Sequence, residues 1–125
     1  MTNEKCDYPT YNICVTRNNV FNLDFFREVD DEVFSFTGKK LVLTVRDRID
    51  GKVIFVLSSD DGDITLEEYE SVAGGLVRVS VDSEVVRGWK NGIYVYDLVY
   101  FTGPTDVKTV LGGNFTISKG VSDVR

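Results

Sequence analysis

From Ile13 onward most of the chain alternates apolar and polar residues at a period of two, the signature of strands with one covered face. In Val20-Phe21-Asn22-Leu23-Asp24-Phe25-Phe26, Phe21, Leu23 and Phe25 point one way, and Asn22 and Asp24 the other. In Leu41-Val42-Leu43-Thr44-Val45-Arg46, Leu41, Leu43 and Val45 take the core side. Lys40, Thr44, Arg46 and Arg48 share the opposite face, which is solvated or partner-facing. Leu76 to Val81 turns Val77, Val79 and Val81 inward, whereas Lys52-Val53-Ile54-Phe55-Val56-Leu57 is continuously apolar after its lysine. Turn residues separate these runs at Asp30-Asp31-Glu32, Thr37-Gly38, Asp50-Gly51 and 58–63. The polar, glycine-ended stretch from Glu67 to Gly75 predicts a loop or a single helical turn. Asp82 or Ser83 suits the N-cap of a short helical turn carrying Val85 and Val86. Two long strands, 92–101 and 106–118, close the chain. No segment is suited to a crossover helix, so the fold class is all-β: an antiparallel β-sandwich of about seven to nine strands. Residues 1–12, polar and containing Pro9, read as an N-terminal arm, and residues 13–125 as a single domain.

The strand opened by Gly92 is apolar on both sides. Tyr94, Tyr96 and Tyr100 share one face with Leu98; Ile93, Val95, Val99 and Phe101 share the other. Such a strand needs two covers. One is the core; the second is a loop of the same chain or another subunit. Tyrosine is enriched at protein interfaces, which makes Tyr94, Tyr96 and Tyr100, with Tyr8 and Tyr11 of the arm, candidate partner contacts. A sugar-binding aromatic platform is the alternative, giving a carbohydrate- or receptor-binding module. Asp97 shares a face with Val95 and Val99. A carboxylate partly buried there needs a donor or a cation, with Arg46 or a backbone N–H as candidates, and its role is structural rather than catalytic. Gly112-Gly113 within the last strand implies a bulge or a close backbone approach.

Composition narrows the function more than it defines it. At 125 residues the chain is one domain. A net charge of -6 argues against nucleic acid and anionic membranes as partners. No apolar run approaches the roughly 20 residues of a membrane helix. The polar start, Met1-Thr2-Asn3-Glu4-Lys5, opens no signal peptide, so a cytoplasmic origin is expected. In that setting Cys6 and Cys14 are expected to be reduced, with a local disulfide pinning the arm or an intermolecular bond in an extracellular particle as the alternatives, and the Asn114-Phe115-Thr116 sequon is expected to carry no glycan. The absence of histidine removes most familiar triads and zinc sites. Asp60-Asp61-Gly62-Asp63…Glu67-Glu68 places glycine and glutamate at EF-hand spacing, but the first position is then Leu57, which cannot ligate calcium. A solvated acidic turn is expected. No catalytic, cofactor-binding or metal-binding residue emerges.

Four motifs, taken together, resemble a known family. They are Phe36-Thr37-Gly38-Lys39-Lys40-Leu41-Val42-Leu43-Thr44-Val45-Arg46; Asp60-Asp61-Gly62-Asp63-Ile64; Gly92-Ile93-Tyr94-Val95-Tyr96-Asp97-Leu98; and Leu111-Gly112-Gly113-Asn114-Phe115-Thr116-Ile117…Val121-Ser122. Their order is similar to that in the immunoglobulin-like structural domains of tailed bacteriophages, such as the N-terminal domain of baseplate upper proteins and related tail-attachment modules. The resemblance spans residues 20–122. It implies a non-enzymatic virion component, made in the host cytoplasm and present in many copies within a symmetric assembly. Its partners would be other phage structural proteins of the tail, baseplate or head–neck region, with no cofactor.

Overall fold

The computed structural model describes residues 10–17 and 19–118. They form ten strands and one short helix: β1 (Ile13–Thr16), β2 (Phe21–Phe25), β3 (Glu28–Val29), β4 (Glu32–Val33), β5 (Lys40–Arg46), β6 (Val53–Ser58), β7 (Ile64–Tyr69), β8 (Val72–Val81), α1 (Ser83–Arg87), β9 (Gly92–Phe101) and β10 (Val107–Ser118). The chain is all-β, as its alternation predicts. Strands β1-β10-β9-β5-β6 make a five-stranded sheet, β2-β8-β7 a three-stranded sheet, and β3-β4 a separate hairpin. Every pairing is antiparallel except that of β1 with β10, where Ile13 sits opposite Phe115.

The inward rows are those read from the alternation. Leu41, Leu43, Val45, Val77, Val79 and Leu98 have no exposed surface. Aromatic rings join the two sheets. Phe21 of β2 meets Phe115 of β10 edge-on at 5.5 Å, and Trp89, just after α1, stacks on Phe55 of β6 at 4.2 Å. A second group gathers around Phe36, which lies between β4 and β5. Its ring is edge-on to Tyr100 at 5.4 Å and to Phe25 at 6.4 Å. Helix α1 begins at Asp82 and buries Val86. Its first turn is closed by backbone bonds from Val85 and Val86 to the Asp82 carbonyl rather than by a side-chain cap.

Two local expectations give way. Residues 67–75 are neither loop nor helical turn. β7 runs to Tyr69 and β8 starts at Val72, joined by Glu70 and Ser71 at φ 48° and 69°. Tyr69 lies opposite Val72, so this is a two-residue hairpin made by side chains that rarely adopt left-handed backbone. Gly74 then sits inside β8, where Ser35 and Thr37 cross: the Phe36 N–H donates to Gly74 O at 2.9 Å, and the Ser35 and Thr37 hydroxyls donate to Ala73 O. The β9 strand is also not buried on both faces. Tyr96, Leu98 and Tyr100 are buried, but Ile93 is 72% exposed and Asp97 is exposed.

In β10 the bulge falls at Val110, between Thr109 and Leu111, so both Val110 and Leu111 point inward. Gly112 and Gly113 serve the close approach. The Tyr11 N–H donates to Gly112 O at 2.8 Å, and a Cβ on Gly113 would lie 2.7 Å from Tyr11 O. The described end of the arm, Thr10 to Asn12, is thereby tied to the sheet, and the Asn114 N–H donates to Asn12 Oδ1 at 3.0 Å.

The face assignment is open to a direct check by urea denaturation. Phe115→Ala is expected to remove about 3–5 kcal/mol of unfolding free energy, whereas Ile93→Ala on the outward row should change it by less than about 0.5 kcal/mol. Comparable losses at the two positions would contradict the burial described.

Candidate functional site

The outward face of the five-stranded sheet carries both apolar side chains and a carboxylate with no direct side-chain partner among the described residues. Cross-strand register sets its rows: Val42 is opposite Val99, Thr44 opposite Asp97, Asp97 opposite Gly112, and Val95 opposite Asn114. Toward one end the face is apolar. There Val42, Val99 and Phe101 are half-buried and Val107 is 45% exposed, whereas Val56, opposite Thr44, and Ile54, further along β6, are 46% and 37% exposed beside the middle of the face. In the middle lies an open groove of about 510 Å³. Its lining includes Thr44, Arg46 and Asp50, with Asp97, Gly112 and Asn114. The Val95 and Ile49 side chains form apolar walls, and Thr10 stands on the rim.

Gly112 contributes no side chain beside Asp97, so the groove is open at the carboxylate. Among the described residues the Asp97 side chain makes no hydrogen bond or ion pair. Arg46, the expected cation, instead donates from Nη1 to Gly51 O at 2.9 Å, because the 47–52 turn folds back over it. Its charge still acts on Asp97 through space. The crowding of Asp97 by its neighbours pushes its carboxyl above the ordinary range, and Arg46 partly offsets that rise.

The candidate tyrosines divide differently from the expectation. Tyr96 and Tyr100 are 5% and 4% exposed, because their row faces the second sheet rather than a partner. The Tyr96 hydroxyl donates to Tyr11 O at 2.6 Å, and burial pushes its pKa up. Tyr94 is half-buried and donates to Lys90 O at 2.9 Å. Tyr11 is 52% exposed and remains available for contact; Tyr8 lies outside the described residues. A tyrosine platform for sugars is therefore not on the surface of β9, and Trp89, 9% exposed, is in the core as well. Gly92 begins β9 opposite Ile117.

The acidic turn is divided between ion pairs. Asp60 binds Lys40 at 3.0 Å, and Glu67 lies 3.9 Å from Arg78, whose main partner is Asp24. Among the described residues no three His, Cys, Asp or Glu side chains converge as a metal site would require. Cys14 is an exposed free thiol on β1, and Cys6 lies outside the described residues. Thr44 shares its outward face with Arg46 as the alternation predicts, whereas Asn114 joins them through strand register and Asp50 through the fold of the 47–52 turn, neither with a local sequence signal.

The state of Asp97 gives a pH dependence. Its folded pKa is raised, so the folded chain holds the proton more tightly than the unfolded chain does. Ionised Asp97 therefore opposes folding at neutral pH, and the penalty vanishes as pH falls through that pKa. Asp97→Asn is expected to raise stability at neutral pH by up to about 0.5 kcal/mol and to have no effect near pH ~3. Denaturant titrations at both pH values check it; a gain that persists in acid would contradict the assignment.

No known protein family matches this chain, and no curated protein resembles it in sequence.

Proposed function

We propose that this chain is a non-enzymatic structural protein of a tailed-phage virion, an immunoglobulin-like module that docks onto tail, baseplate or head–neck proteins. Two features support the immunoglobulin-like part. A three-stranded sheet of β2, β8 and β7 packs on a sheet in which β10, β9 and β5 are consecutive and β6 extends the edge. That is the arrangement of strands B, E and D against G, F, C and C′ in variable-type domains. The Tyr94 hydroxyl, near the start of β9, donates to the backbone four residues upstream, as a tyrosine corner does.

The docking role rests on one observation: the outward face of the five-stranded sheet carries half-buried Val42 and Val99 directly opposite each other, with exposed Val56 and Val107 diagonal to them on the flanking strands. Neighbouring apolar side chains left on a surface mark contact sites more often than isolated ones do. Attachment by this face suits a component present in many copies, with Tyr11 as an additional contact at the sheet edge.

Mass spectrometry of purified particles tests the proposal. The chain is expected among the virion proteins, and its absence from particles that contain their other structural proteins would overturn it. A Val99→Asp variant, which keeps the core intact, is expected to enter particles about tenfold less efficiently.

A further inference from the structure

Asp97 interrupts the outward row Ile93, Val95, Asp97, Val99 and Phe101 with a charge that nothing in the described fold neutralises directly. Asp97 is exposed, so water solvates it in the free chain, and a surface that covers this face has to replace that water with a donor or cation. The nearest cation in the groove, Arg46, is bonded to Gly51 O. Asp50 adds a second carboxylate to the groove lining, so two acids face one base there. Gly112 leaves space directly beside Asp97, and Thr44 and Asn114 flank it with oxygen acceptors that have no side-chain partner among the described residues. Exposed Ile49 and half-buried Val95 form walls suited to apolar contact.

We propose that the docking partner is a protein segment that inserts a lysine or arginine side chain into this groove, against Asp97, with apolar residues on either side of it. The inference rests on the docking role proposed above and specifies the chemistry of the partner. Charge selects a basic occupant over an acidic one, and the apolar walls select a peptide segment over a free polyamine. The partner's cation would supply what Arg46 does not. Asp97 is then a specificity determinant within an otherwise apolar contact.

The test pans a random-peptide library against the immobilised full chain and against Asp97→Asn, whose exposed side chain leaves the core untouched. Peptides selected by the unaltered chain are expected to carry Lys or Arg between apolar residues. A synthesised representative should shift the amide resonances of Thr44, Asp97 and Asn114, and should bind Asp97→Asn about tenfold more weakly. Failure to select binders, selected peptides without basic enrichment, or equal binding to Asp97→Asn would each overturn the proposal. So would saturable binding of this groove to a glycan array in place of peptide. The particle analysis is read separately. A chain present in virions that selects no basic peptides refutes the inference alone, whereas Asp97-dependent peptide binding by a chain absent from virions refutes the docking role.

Discussion

The Phe115 side chain lies edge-on to Phe21, Phe55, Trp89 and Tyr96 at 5.5–5.9 Å. Those rings come from β2, β6, the segment after α1, and β9, so one side chain of β10 contacts both sheets and the helical connection. Aromatic pairs of this geometry add to what their buried area already contributes. The rest of the structure is arranged around keeping that contact dry. α1 carries Trp89 into place, the Val110 bulge sets the register of β10, and the Tyr96 hydroxyl, too deep to meet water freely, finds the Tyr11 carbonyl.

Strands with one clean period were legible in the sequence, and for a physical reason. Leu41, Leu43 and Val45, or Val77, Val79 and Val81, face a core that tolerates no polar side chain, so their order records which way they point. The hairpin at Glu70-Ser71 was not legible, because neither residue is among those that make left-handed turns without strain. Gly74-Gly75 drew attention away from it: the glycines belong to a strand, where another segment passes closely. The tyrosines of β9 were ambiguous for a different reason. Tyrosine is equally suited to a core with a buried acceptor and to an interface, and only the position of the second sheet distinguishes them.

The groove was partly legible. Asp97 could be singled out as a carboxylate in need of a partner, and Arg46 as a candidate. That Arg46 turns to Gly51 depends on how the 47–52 connection folds, a matter of backbone geometry with no residue pattern to announce it. The same face shows that apolar alternation does not by itself indicate burial. Ile54, Val56 and Val107 are as apolar as core residues yet meet solvent, since the strands near them end the sheet or face away from its partner.

The parallel pairing of β1 with β10 has a consequence for biosynthesis. Asn12 and Asn114 are 102 residues apart, yet they bond directly. A ribosome must release nearly the whole described chain before the first strand can find its neighbour, and closing so long a loop is slow relative to forming the local hairpins. Until then β1 and one edge of β9 lack their pairing strand. The nascent chain therefore passes through an interval in which its central sheet is open along one side, and any early association between copies would most readily begin there.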